Sequence, residues 1–119
     1  APFLEIWGTG TPLREFMHVD DMAAACIHVM ENLDAKTLYD EWGQTHVNIG
    51  TGEEISIAGL AALVAEIVGF KGEIRFDRSK PDGTPRKLMD SNLLHKSGFQ
   101  HKISLKSGIG DVYKSFPKN

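Results

Sequence analysis

Two clusters of side chains in this sequence have the types and spacing to hold a ligand. The first is Trp7 and Arg14, which flank a tight Gly8-Thr9-Gly10-Thr11-Pro12 loop. An indole face beside a guanidinium suits a flat anionic ligand, because the ring stacks on a base while Arg pairs with phosphate or hydroxyl oxygens. The second is the stretch Arg78-Ser79-Lys80-Pro81-Asp82-Gly83-Thr84-Pro85-Arg86-Lys87. Its two late prolines and Pro-Asp-Gly set a defined turn from which four basic side chains project. Cations around one preorganised turn suit a diphosphate, and Asp82 can accept from ribose or sugar hydroxyls. A plainer reading also fits: a core tryptophan, a solvated arginine and a solvated surface turn. Residue chemistry alone leaves both open.

Groups for covalent or proton-transfer chemistry are sparse. Gly8-Thr-Gly10 and Gly50-Thr-Gly52 each lack the third glycine of a dinucleotide fingerprint, and Glu53 and Glu54 would repel a pyrophosphate at the second turn. No Tyr-x-x-x-Lys pair occurs, since Tyr39 is followed at that spacing by Gly43 and Tyr113 by Pro117. The five histidines are scattered without metal-ligand spacing, so no metal is assigned. Cys26 has no nearby base and reads as a small buried hydrophobe.

The two loops must be carried by the elements around them. Phe3 to Ile6 reads as a strand, and Glu15 to Val19 as a second strand that ends where Asp20 caps a helix. That helix runs from Asp21 to about Asn32, with Met22, Cys26, Val29, Met30 and Leu33 on one stripe and only Ala24, His28 and Glu31 at a solvent edge. A helix so apolar needs cover on most of its circumference, which predicts a partner domain outside this chain. Residues 34–45 have no clear period and read as a polar connection with room for a helical turn. His46 to Ile49 reads as a short strand. Ser56 caps the clearest helix, whose Ile57, Leu60, Ala61, Val64, Ile67 and Val68 recur at helical spacing until Gly69-Phe70 stops it. Gly72 to Asp77 reads as a further strand. Asp90 caps a short helix over Ser91–Ser97, and Ser104 a last one that Pro117 ends.

With 119 residues, 41% hydrophobic and 24% charged, the chain has ordinary globular composition and no long apolar run, so a membrane partner is not expected. Its start, Ala-Pro-Phe-Leu-Glu-Ile, enters a strand almost at once and predicts a piece of something longer. A single cysteine excludes an internal disulfide and fits the cytoplasm. The net charge of -3 hides an asymmetry: residues 1–54 carry ten acids and two bases, residues 55–119 six acids and eleven bases. Basic runs are too short to predict nucleic acid as a partner.

Three blocks taken together resemble the carboxyl-terminal part of the GDP-L-fucose synthase family: Trp7-Gly-Thr-Gly-Thr-Pro-Leu-Arg14-Glu-Phe-Met-His-Val-Asp20-Asp21, His46-Val-Asn-Ile-Gly-Thr-Gly52 and Ser79-Lys-Pro-Asp82-Gly-Thr-Pro-Arg-Lys87. The first alone marks extended short-chain dehydrogenases acting on nucleotide sugars; the third narrows the likeness to the synthases. Only the linker near 34–45 and the last helix, with Gly108 and Gly110, look divergent. The resemblance implies an α/β fold, a small mixed substrate-binding lobe over residues 1–119 that lacks most of the Rossmann domain. It also implies an NADP-dependent enzyme, usually a homodimer, that epimerises GDP-4-keto-6-deoxy-D-mannose at two carbons and reduces the ketone to give GDP-L-fucose. The family's cofactor loop and its catalytic Ser, Tyr, Lys, Cys and His lie upstream of the matched region. No catalytic or cofactor-binding residue therefore falls in this chain, and Cys26 inherits no role. What the resemblance carries over is substrate binding, by Trp7, Arg14 and Asp82, with Lys87 near the phosphates.

Overall fold

The computed structural model describes residues 2–118. Strand β1 (Phe3–Trp7) pairs in parallel with β4 (Glu73–Asp77), in a register that sets Trp7 opposite Asp77. Strand β2 (Leu13–Glu15) pairs antiparallel with β3 (Glu54–Ser56), Arg14 opposite Ile55. Four α-helices lie among the described residues: α1 (Val19–Asn32), α2 (Ile57–Val68), α3 (Asn92–Lys96) and α4 (Leu105–Ser115). The molecule is drawn out over 57 × 33 × 18 Å, with a radius of gyration of 17.9 Å. A compact chain of this length has about 13–14 Å.

The long helices start and stop where local chemistry dictates. The Ser56 hydroxyl accepts from the Gly59 amide at 3.0 Å, and the Ser104 hydroxyl from the Ser107 amide at 3.2 Å, each satisfying an orphan donor of a first turn. Gly69, at φ 73°, ends α2 in the left-handed region, and the Phe70 amide returns to the Ala65 carbonyl at 2.9 Å. Leu60 and Val64 of α2 serve two apolar grooves, one toward β1 with Leu4 and Phe70, the other toward α4 with Ile109 and Val112. Neither groove is closed. Among the described residues only Ala25 and Leu94 are fully buried apolar side chains.

Several expectations are corrected. The second strand covers 13–15, not 15–19, and His18 rather than Asp20 caps α1, its Nδ1 accepting from the Asp20 amide at 3.0 Å. Residues 46–49 form no strand, for among the described residues they pair with no other strand; the Asn48 side chain instead donates to the Asp90 carbonyl. Ser91 holds the cap position of α3, although Asp90 Oδ1 still accepts from the Asn92 amide at 3.0 Å. The helical turn expected in 34–45 is present, as a π-turn over Thr37–Glu41.

Of the solvent edge expected on α1, Ala24 and Glu31 are exposed and His28 is not. His28, placed at the solvent edge by periodicity, turns inward: its Nε2 donates to the Ser97 carbonyl at 3.0 Å and its ring lies 5.6 Å from that of Phe99. Asp21, one of three buried polar residues among those described, accepts from the Lys102 and Ile103 amides at 3.0 and 2.9 Å. Burial would raise this carboxyl, but the two amides, with His101 and His18 nearby, hold it below its usual range. These polar anchors fix the helix roll and leave the apolar stripe outside. Met30 is 85% and Ile27 56% exposed, and Cys26 is exposed rather than buried.

Candidate functional site

Because β1 and β4 run parallel and end side by side at Trp7 and Asp77, the two loops singled out by sequence leave the same edge of one sheet. The carboxyl ends of parallel strands are where open α/β sheets bind ligands. The Gly8 amide extends the ladder to the Asp77 carbonyl at 2.9 Å. Asp77 then opens the second loop as an Asx turn, its Oδ1 accepting from the Ser79 amide and hydroxyl at 3.0 and 2.6 Å.

The loops are joined at two points, and the second loop is tied to β3 at a third. Asp82 accepts from the Thr9 amide through Oδ1 (2.8 Å) and from the Thr9 hydroxyl through Oδ2 (2.6 Å). Arg14 Nη1 donates to the Thr84 carbonyl at 2.6 Å and to the Leu13 carbonyl at 2.7 Å, while the Leu13 amide donates to Pro85 at 2.9 Å. Arg86 makes a two-pronged pair with Glu54, Nε and Nη2 lying 2.7 and 2.9 Å from its carboxylate oxygens. Glu15, on β2 beside Arg14, accepts from the Gly52 amide at 2.7 Å and so ties the third sequence block to the same framework. Gly83 lies against the arginine, since a Cβ there would sit 2.8 Å from Arg14 Nη2 and displace the end of that side chain.

This geometry sorts the predicted residues. Trp7 is 68% exposed rather than a core residue, and the Lys80 ammonium lies 5.1 Å from its ring centroid. Arg14 is half-buried and directs Nη1 at backbone, leaving Nε and Nη2 without a protein partner among the described residues. Lys87 is exposed, beyond the strand-like contact of Arg86 with Leu13. Of the four basic side chains expected to project, Arg86 is committed to Glu54, and Arg78, Lys80 and Lys87 extend from the loop. Asp82 differs most from expectation, for both its oxygens are already engaged by Thr9. The Thr9 hydroxyl and then its amide, with the charge of Arg78, hold the Asp82 carboxyl below its ordinary range. Sequence reasoning missed Thr9, Glu15 and the Arg86–Glu54 pair, because each partner lies tens of residues away and nothing local marks it.

An exposed indole, unpaired guanidinium nitrogens and mobile-stemmed ammonium groups around one sheet edge are equipment for binding a flat anion. Residues 3–50 match the NAD dependent epimerase/dehydratase family. Over its whole length the chain is 51% identical to GDP-L-fucose synthase of Escherichia coli K12, of which it covers 37%. The chain belongs to the GDP-L-fucose synthase family, as its carboxyl-terminal part. Among solved structures, a GDP-6-OMe-4-keto-L-xylo-heptose reductase from Campylobacter jejuni superposes with a TM-score of 0.87 at 46% identity, over 95% of this chain and 33% of that one. A GDP-D-glycero-L-gluco-heptose synthase from the same organism, determined in the presence of NADPH, gives 0.83 at 43%, over 94% and 32%. The chain thus spans about a third of the relatives it matches.

Neither glycine turn of this chain fits a dinucleotide. The amides that a pyrophosphate would need are occupied by the chain's own carboxylates, Thr9 by Asp82 and Gly52 by Glu15, and neither turn leads directly into a helix. Among the described residues no helix is long and apolar enough to cross a membrane.

Proposed function

We propose that this chain is the sugar-nucleotide-binding lobe of an NADP-dependent enzyme that epimerises GDP-4-keto-6-deoxy-D-mannose and reduces it to GDP-L-fucose. The observation that carries the reading is similarity over the whole of this chain, at 51% identity, to about a third of a GDP-L-fucose synthase, joined to loops that leave one sheet edge together. In this reading Trp7 offers its open face to the guanine, Arg14 directs Nε and Nη2 at diphosphate or hydroxyl oxygens, and Lys87 adds charge near the phosphates. Asp82 accepts from a ribose or sugar hydroxyl through the lone pairs Thr9 leaves free. The cofactor supplies hydride and is held by the remainder of the protein. The whole protein works as a cytoplasmic homodimer.

A substrate lobe without hydride donor or acid and base groups binds but does not react. The full-length protein, given NADPH and the keto sugar nucleotide, should oxidise NADPH and form GDP-L-fucose, whereas this chain alone should leave the cofactor at the rate of a no-protein control. NADPH oxidation by the chain alone, or a full-length protein inert toward this substrate, would overturn the proposal.

A further inference from the structure

The Gly8-Thr9-Gly10 turn has the shape of an anion cradle, and the anion it holds is Asp82. Gly8 and Gly10 sit at φ 90° and 77°, a backbone open to glycine and strained for other residues. A Cβ on Gly8 would overlap the Asp82 carboxylate itself. Between the glycines, Thr9 presents its amide to one carboxylate oxygen and its hydroxyl to the other.

The direction of the hydroxyl chain follows from charge. An ionised carboxylate only accepts, so the Thr9 hydroxyl proton points to Asp82 Oδ2. The Thr9 oxygen then accepts from the Thr11 hydroxyl, 2.8 Å away, and more weakly from the Thr11 amide at 3.3 Å. Each bond polarises the next toward the carboxylate. Two oxygens fixed by two donors on one residue leave Asp82 one orientation.

We infer that Thr9, backed by Thr11, is a positioning residue for sugar-nucleotide binding, holding the Asp82 carboxylate as a fixed, ionised acceptor at the ligand edge of the β1/β4 sheet. This rests on the proposed role of Asp82 in binding. An acceptor already immobilised loses little rotamer freedom when a ligand hydroxyl arrives, so the same hydrogen bond contributes more to affinity. Thr9→Val keeps the shape and the amide bond but removes the hydroxyl, freeing Oδ2 and with it the plane of the carboxylate.

The test is calorimetric titration of the full-length protein and its variants with GDP-L-fucose and, separately, with GDP, alongside steady-state kinetics. Thr9→Val should weaken GDP-L-fucose binding about tenfold, the loss of one charge-assisted hydrogen bond's worth of positioning, and raise KM with kcat held. Thr9→Ser, which restores the hydroxyl, should return affinity to within about twofold of the parent. A parallel loss for GDP places the partner hydroxyl on ribose; a loss confined to GDP-L-fucose places it on the sugar. Asp82→Ala separates the two layers. If Asp82→Ala weakens binding while Thr9→Val does not, or if Thr9→Ser fails to rescue, the inference on Thr9 falls and the binding reading stands. If Asp82→Ala leaves affinity unchanged, the role of Asp82 itself is wrong.

Discussion

Thr9 and Asp82 lie 73 positions apart in sequence and share two hydrogen bonds, 2.8 and 2.6 Å long, that lock the loop after β1 to the loop after β4. Parallel pairing of the two strands brings the loops within reach, and the two glycines let the carboxylate approach the backbone. The Gly-x-Gly turn therefore holds the chain's own acid in place of a phosphate.

The latch has a defined pH sense. Because Thr9 lowers the folded-state pKa of Asp82, the closure it supplies is fully present above the unfolded value, about 3.9, and is lost as pH falls through the lowered one. A carbon-detected NMR titration of the Asp82 carboxyl should inflect below its ordinary value in the parent and move upward in Thr9→Val. An inflection at or above the ordinary value in the parent would contradict the bonding described.

Asp21 should matter more for stability than its place in a helix's first turn suggests. Its buried carboxylate accepts from two amides that have no other partner among the described residues. Asp21→Ala leaves both amides unsatisfied and should lower the urea-unfolding free energy of the full-length protein by about 2–4 kcal/mol. Asp20→Ala, at an exposed neighbour whose side chain caps nothing, should change it by less than about 0.5 kcal/mol. Equal effects at the two positions would show that the amide anchors do not set the roll of α1.

The exposed stripe of α1 should make the isolated chain adhesive. Val19, Ile27 and Met30 are 71%, 56% and 85% exposed, and Met22 and Cys26 lie open beside them. An apolar face of this kind binds dye or another protein. The chain alone should self-associate in sedimentation and enhance the fluorescence of an apolar dye, and Ile27→Lys with Met30→Lys should reduce both. A monodisperse monomer without dye binding would show that this face is covered in solution.

What sequence discloses here is mostly what depends on neighbours a few positions away. Ser56, Ser104 and Gly69 mark helix ends because a cap is closed within three or four residues. The candidate residues Trp7, Arg14 and Asp82 were legible as chemistry, and their convergence was not, since it depends on β1 pairing with a strand some seventy residues on. The 46–49 segment carries strand-forming residues without a strand to pair with. At the start of α1, His18, Asp20 and Asp21 are all able to cap; the choice of His18, with Asp21 turned inward to residues 102 and 103, is made by tertiary contacts. His28 looked solvated for the same reason, its partners Ser97 and Phe99 being distant in the chain.

Stacking at Trp7 should be graded by ring area. Trp7→Ala in the full-length protein should weaken GDP-L-fucose binding by about 1–3 kcal/mol, the range for base stacking on an aromatic side chain. Trp7→Phe should cost less, because a smaller ring keeps part of the surface. Titration calorimetry checks the order, and a Phe variant as weak as the Ala variant would mean that the indole is not a stacking face.

The central claim, that this chain is the substrate lobe and not part of the cofactor site, is tested most directly at Arg14. Its Nη1 holds Thr84 and Leu13 while Nε and Nη2 make no hydrogen bond to the described residues. Calorimetric titration of full-length Arg14→Ala with GDP-L-fucose should show affinity reduced by about 1.5–3 kcal/mol, the loss of a charge-assisted hydrogen bond, and titration with NADPH should show no change. Intact GDP-L-fucose affinity with weakened NADPH binding would place this loop at the cofactor and contradict the account.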